Sequence, residues 1–260
     1  MNNNENWKDD MQTLNGKIAL VTGGSRGLGR AEAIALAKAG ADVAVIANED
    51  MSETVRELEA IGVRAMGVHC DVGVSSDVDR AVSETRGCLG GVDILVNNAQ
   101  VIPQAHSFES WTEEEMRVNW ESGPLGTFFF MKACFPYMKE KGGRIINTCS
   151  AAGHGYIAGN AGYAAAKEAI RSLTRSASKE WGQYNICVNA IAPAALTPGS
   201  LFAMDGGNAT EEACLSMFAL KRWGDPEKDI GRVVVFLAGP DASYITGDTI
   251  SVNGGMAPVV

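Results

Sequence analysis

Tyr163 and Lys167 stand four residues apart in the run GYAAAKEAI, residues 162–170, with only alanines between them. On a helix of 3.6 residues per turn, positions i and i+4 are neighbours on one face, so a phenol and an ammonium can share a site. A nearby cation favours the phenolate and lowers a tyrosine pKa from about 10. The phenol then becomes a general acid or base usable near neutral pH. The bland alternative is a core tyrosine beside a lysine that snorkels off an Ala-rich helix.

A second candidate lies near the start of the chain. The run VTGGSRGLGR, residues 21–30, follows a short apolar stretch and opens a helical pattern. Gly23, Gly27 and Gly29 allow a tight turn and a close backbone approach, and a helix N-terminus there suits a pyrophosphate. Glycine-rich turns are common. A position between a strand and a helix is what makes this one informative.

The elements that must carry these residues alternate along the chain. KIALVT (17–22), DVAVIA (42–47), VRAMGVHC (63–70), VDILVNN (92–98), GRIINTC (143–149), ICVNAIAP (186–193) and DTISVNGG (248–255) read as strands. Helical patterns fall between them, including a long one near 112–140. Strands alternating with helices predict an α/β domain, a doubly wound seven-stranded parallel sheet covered on both faces. Residues 1–15 read as a flexible polar leader and 16–260 as one domain. Residues 194–224 are rich in Ala, Gly and Met and show no strand pattern, as expected of a substrate lid.

Composition excludes several classes. A formal net charge of -9 argues against a nucleic-acid partner, which wants a basic face. Six scattered cysteines without CxxC spacing read as reduced thiols of a cytoplasmic protein. The three histidines show no ligand spacing, so no metal site is expected. The polar opening lacks the apolar core of a signal peptide, and no apolar run reaches the roughly 18 residues of a membrane span.

Together the motifs resemble the short-chain dehydrogenase/reductase family, over nearly the whole chain. TGGSRGLG matches its TGxxxGxG loop, with Thr22 bracing the turn. Asp71 matches its adenine contact, NNAQ (97–100) stands where NNAG is usual, and Asn119 in MRVNW matches its catalytic asparagine. About three extra residues follow Asn119 in ESGPLG. Ser150 lies thirteen residues before Tyr163, and Lys167 completes YxxxK. By this resemblance, the alanines between Tyr163 and Lys167 let the helix pack tightly while it presents two reacting groups.

The resemblance implies a Rossmann-like fold and an alcohol/ketone oxidoreductase. Tyr163 would exchange a proton with the substrate oxygen and Ser150 would steady that oxygen. Lys167 would depress the Tyr163 pKa and bind the nicotinamide ribose, and Asn119 would hold a relay water behind Lys167. The coenzyme would meet Gly23, Ser25, Arg26, Gly27, Leu28, Gly29, Asn48, Glu49, Asp71, Val72, Asn98, Ala99, Gln100, Tyr163, Lys167, Pro193 and Thr197. Arg26 is a residue type that NADP-preferring relatives use, whereas Glu49 and Asp50 would repel a 2′-phosphate. NAD(H) is therefore favoured over NADP(H).

Finer features narrow the expectation. NNAQ, the short Pro193-to-Thr197 spacing, YAAAKEAIRSLTR and the tail GDPEKDIGRV…GDTISVNGGM resemble the gut-bacterial 12α-hydroxysteroid dehydrogenases. That resemblance implies a bile-acid substrate met by Ser150, His154, Tyr156, Tyr163, Leu201 and Phe202, under an apolar lid that runs on to Phe218. The other openings are a 3-oxoacyl-carrier-protein reductase, a sugar or polyol dehydrogenase, and a non-catalytic dinucleotide-binding regulator. A regulator would have no need of the Ser/Tyr/Lys set. The family is commonly tetrameric, so a homotetramer is expected.

Overall fold

The structure is a computed structural model and describes residues 13–102, 104–154, 158–203 and 211–257. Seven strands form one parallel sheet in the order β3-β2-β1-β4-β5-β6-β7. They are β1 (Ile18–Thr22), β2 (Asp42–Ala47), β3 (Ala65–His69), β4 (Ile94–Asn97), β5 (Gly143–Thr148), β6 (Ile186–Pro193) and β7 (Thr249–Val252). All seven expected strands are present. β1 and β4 are buried at every residue, while the edge strands β3 and β7 are mostly not. Such burial on both faces is why the inner strands read as unbroken apolar runs.

Helices cover the two faces: α1 (Gly27–Lys38), α2 (Ser52–Ile61), α3 (Ser75–Leu89), α4 (Glu113–Trp120), α5 (Gly126–Met138), α6 (Ala151–His154), α7 (Ala161–Trp181), α8 (Pro198–Ala203), α9 (Glu211–Ser216) and α10 (Arg232–Ala238). Two apolar clusters, one on each face, hold them. One packs Leu36 and Leu58 on Val21 and Val45; the other packs Phe130 and Met138 on Leu20 and Leu95. Between β3 and β4 the chain crosses from one side of β1 to the other. The crevice beyond the β1 and β4 carboxyl ends is thus the topological switch point, where open α/β sheets bind ligands.

Three expectations need adjustment. Leu14, placed in the leader, is core: it is 1 % exposed, and its N–H donates to the Ala39 carbonyl at 2.9 Å. Residues 1–12 lie outside the described residues. The long 112–140 helix is α4 and α5 joined through a π-helical turn, Glu121–Leu125, which takes up Pro124. A π-turn loosens the backbone where proline brings no N–H to the ladder. The lid is also not structureless, since it contains α8 and α9. Its ends are pinned together by the Ala195–Gly224 bridge.

Candidate active site

The glycine turn is built at the β1 terminus. Gly23 and Gly27 adopt φ of +68° and +59°, the left-handed region that suits glycine. The Gly23 N–H donates to the Ile46 carbonyl at 2.7 Å, which ties the turn to β2. Thr22 ties it to β4, its hydroxyl oxygen accepting from the Asn98 and Ala99 amides at 3.0 Å each. The Asn98 side chain donates back to the Thr22 carbonyl at 3.1 Å. Helix α1 begins here with no side-chain cap and no acidic residue in its first turn, so its amides are left for an anion. Leu28 anchors the turn to the core, and Gly27 faces Thr197. Thr197 and Ser200 cap α8 reciprocally: Ser200 N–H donates to the Thr197 hydroxyl at 3.1 Å, and Thr197 N–H to the Ser200 hydroxyl at 2.8 Å. This cradle fits a dinucleotide pyrophosphate.

Tyr163 and Lys167 rise on α7 beside the β5 terminus. The residue before Tyr163 is Gly162, where a Cβ would strike Trp111 and would sit 2.8 Å from Met116 Sδ. Helix α7 therefore approaches α4 as closely as it can, which fixes the height of the phenol. Lys167 is 3 % exposed, donates to the Thr148 carbonyl at 2.7 Å, and lies 5.4 Å from the Tyr163 ring centroid. Burial pushes its pKa down to about 8. Burial pushes the Tyr163 phenol up to about 12, against a lowering hydrogen bond with Ser150. The expected depression of Tyr163 by Lys167 does not appear: burial is the largest influence, and it is Ser150 that opposes it. The Ser150 hydroxyl also accepts from the Ala152 amide at 3.1 Å, so its orientation is set by the short α6 turn. Cys149 is inert by comparison: burial holds its thiol up at about 12.

The family model described as enoyl-(acyl carrier protein) reductase matches residues 23–257. A 12α-hydroxysteroid dehydrogenase of a Clostridium species is 37% identical over 256 residues, covering 95% of this chain and 98% of the relative. A Synechocystis 3-oxoacyl-[acyl-carrier-protein] reductase is 35% identical, covering 95% and 99%. A Sinorhizobium meliloti protein described as a short-chain alcohol dehydrogenase superposes with a TM-score of 0.87 at 35% identity, over 95% of this chain and 98% of the other. The structure of levodione reductase gives a TM-score of 0.89 at 30% identity, over 93% and 98%. The chain belongs to the short-chain dehydrogenase/reductase family.

As a short-chain dehydrogenase/reductase it is an NAD(P)-dependent oxidoreductase. At the far end of the cradle, Asn48 and Glu49 are exposed after β2 and line a cavity of about 830 Å³. Glu49 accepts from Arg26 at 2.9 Å and from the Ser25 hydroxyl at 3.4 Å. Asp50 instead accepts from the Ser52 amide and hydroxyl at 3.0 and 2.6 Å, which holds its carboxyl below the usual range. Asp71 accepts from the Gly73 amide at 2.9 Å, and Val72 packs against the helix start at Gly126. Pro193 ends β6 at the same edge of the sheet. Among the described residues, no cluster of His, Cys, Asp and Glu could hold a metal, and no helix is long and apolar enough to cross a membrane.

The substrate side is less uniform. His154 ends α6, with both ring nitrogens buried and without a partner among the described residues. Tyr156 lies outside the described residues. Leu201 and Phe202 fall on α8. Phe218, expected on the lid's working face, is core: 1 % exposed and packed on Trp223 at 4.8 Å between ring centroids. Asn119 is 2 % exposed, and its amide nitrogen donates to the Glu115 carbonyl of its own helix at 3.0 Å.

Sequence reasoning missed Glu32. It is 0 % exposed in α1 with both oxygens unpartnered, and burial pushes its pKa up to about 8 against the opposing pull of Lys167. An acidic residue in a helical window reads as surface, so periodicity offered no signal for it.

Proposed function

We propose that this enzyme interconverts a secondary alcohol and a ketone on a steroid, the 12α-hydroxyl of a bile acid, with NAD(H) as the coenzyme. The reading is carried by one observation: Ser150, Tyr163 and Lys167 meet at the β5 terminus beside the glycine cradle, in a chain 37% identical to a 12α-hydroxysteroid dehydrogenase. The nicotinamide supplies or accepts the hydride. The protein must orient the reacting carbon and manage one proton.

Tyr163 carries that proton. With its pKa near 12 it starts protonated, which is the form needed to donate to a ketone oxygen. Ser150 donates to the same oxygen as negative charge develops on it. In the alcohol-oxidising direction Tyr163 must accept, so oxidation gains as pH rises. The gain levels off once Lys167, with a pKa near 8, gives up its charge. His154 and the lid face the rest of the substrate. The rigid apolar body of a steroid suits a site in which only one hydroxyl should reach Tyr163.

Arg26 is engaged by Glu49, which supports NAD(H): a 2′-phosphate would have to break that pair and meet the carboxylate. A homotetramer in the cytoplasm completes the proposal. It is supported by an apolar groove of about 350 Å³ between α5 and α7, where Trp120 and Phe128 are 45% and 43% exposed. Acyl thioesters are the second reading, favoured by the 3-oxoacyl relative at 35% identity.

The test is initial-rate turnover of cholate, deoxycholate, chenodeoxycholate, a 3-oxoacyl thioester and a panel of sugars with each coenzyme. Turnover of cholate and deoxycholate with NAD, but not of chenodeoxycholate, which lacks the 12α-hydroxyl, is expected. Equal rates on all three bile acids would move the reacting hydroxyl to another position. Turnover of the thioester alone would return the enzyme to the acyl reductases.

A further inference from the structure

Trp111 walls Gly162, the residue before Tyr163, and the segment leading to Trp111 makes a second contact with the approach to α7. The His106 N–H donates to the Gly159 carbonyl at 3.1 Å, and a Cβ at Gly159 would lie 3.1 Å from Ala105 Cβ. Gly159 adopts φ of +83°, so glycine suits its conformation as well as its space. Residues 105–111 therefore lie along the start of the Tyr163 helix and touch it at both ends.

His106 joins those two ends. Its ring lies 4.6 Å from the Trp111 ring between centroids, at 32° between planes. Its Nε2 meets Glu115 Oε1 at 3.1 Å, and its Nδ1 lies 3.4 Å from the Ser107 carbonyl. Glu115 uses its other oxygen to accept from the Thr112 amide and hydroxyl at 2.8 and 2.7 Å, within the capping box of α4. Those two bonds, more than His106, hold its carboxyl below the usual range. An ionised carboxylate only accepts, so Nε2 carries the proton toward it in the neutral ring as in the charged one. Of residues 105–110, all but His106 are exposed, Phe108 by 80%. The imidazole is what turns this stretch inward.

We propose that His106 is a positioning residue for the substrate end of the crevice: clamped by Glu115 and Trp111, it presents its amide to Gly159 and so fixes the connection between Ser150 and the Tyr163 helix. The proposal rests on the reading of Ser150 and Tyr163 given above. Ser150 immediately precedes α6, and Tyr163 lies in the first turn of α7. A shift of Gly159 therefore reshapes the space between the two groups that meet the substrate oxygen. Tyr163 keeps its wall at Gly162 when the imidazole is removed, so the loss falls on substrate grip rather than on proton transfer.

The test is hydrogen–deuterium exchange on the purified enzyme, read by mass spectrometry in peptides covering 105–111 and 158–165, with 170–178 of α7 as the reference. His106→Ala should speed exchange in the first two about tenfold and leave the reference unchanged, the mark of a local opening. His106→Gln, whose side-chain amide reaches Glu115 from the same place, should restore at least half of the lost protection. His106→Phe keeps a ring over Trp111 without the bond and should exchange as His106→Ala does. On a substrate turned over in the panel above, His106→Ala should raise KM about tenfold, with kcat and the KM for NAD changed less than about threefold. Unmoved exchange in 158–165, equal acceleration of the reference, no recovery in His106→Gln, wild-type protection in His106→Phe, or a fall in kcat with KM unmoved overturns the proposal. The exchange measurement needs no substrate. A wild-type enzyme that turns over nothing in the panel would sink the functional reading alone.

Discussion

The two ends of the crevice are built to different rules. At the coenzyme end, the turn 22–29 is cross-tied to β2 and β4 by Gly23, Thr22 and Asn98, which fixes the uncapped α1 amides in place for an anion. At the end proposed for the substrate, His154 has no partner for either nitrogen among the described residues, and the proposed lid carries two short helices there between pinned feet. A cross-tied turn is rigid and holds one ligand in one pose. In the proposed function, the unpartnered His154 ring leaves the second ligand to complete the site. The difference teaches where specificity can change cheaply: on the lid side, without disturbing the cradle.

Tyr163 stands at the seam, and its loss should have the largest effect. Tyr163→Phe keeps the ring packing and removes the transferable proton, so kcat should fall about 10²–10⁴-fold while NADH affinity stays within a factor of two or so. Stopped-flow turnover with fluorescence titration checks both. A variant that loses coenzyme binding as well would show that the two ends are not separable.

Glu32 breaks the picture of a fully tied coenzyme end. Its folded pKa, near 8, lies above the ordinary 4.5, so the stability it contributes is complete below pH 4.5 and is lost as pH rises through 8. Glu32→Gln cannot ionise. Its melting temperature should match the wild type near pH 4.5 and pull ahead above it, as the stability gap widens to about several kcal/mol at pH 8. Parallel melting curves across pH 4.5–8.5 would show that water reaches Glu32.

Gly162→Ala tests the wall beneath Tyr163. The added methyl strikes Trp111, so the variant should lose about 1–3 kcal/mol in urea unfolding, with kcat falling more than KM rises. The smallest effect is at the exposed Arg26–Glu49 pair, 70% and 47% exposed, where such pairs are worth about 1 kcal/mol or less. Glu49→Gln should therefore raise NADP efficiency relative to NAD by under about tenfold, measured as the ratio of kcat/KM values.

The sheet was legible because its inner strands are buried on both faces and flanked by turn residues. Ser150, Tyr163 and Lys167 were legible because spacing along one helix and one strand end survives folding unchanged. Other features depend on tertiary context. Leu14 lies in a polar stretch and reads as leader, yet it packs under Ala39. Phe218 carries the same apolar signal as Met217, but one is core and the other 44% exposed. The π-turn after Asn119 left two traces in sequence, Pro124 and the extra residues of ESGPLG, but periodicity carried a single helix through them. The Tyr163 pKa went the other way because a count of nearby charges says nothing about lost solvation.

The Ala195–Gly224 bridge has a consequence for how such enzymes diverge. The Leu196 N–H also donates to the Gly224 carbonyl at 3.1 Å, so the two ends of the segment lie side by side, while Phe218 and Leu220 anchor its returning half to the body. A loop with its two feet side by side behaves as an exchangeable cassette. Its length and sequence can be rewritten without straining the scaffold, since lengthening a closed loop adds only slowly to its entropic cost. Grafting residues 201–216, which leaves Thr197 at the cradle and Phe218 in the core, from a relative with another substrate should transplant preference while the recipient's melting temperature and coenzyme affinity stay near their own values.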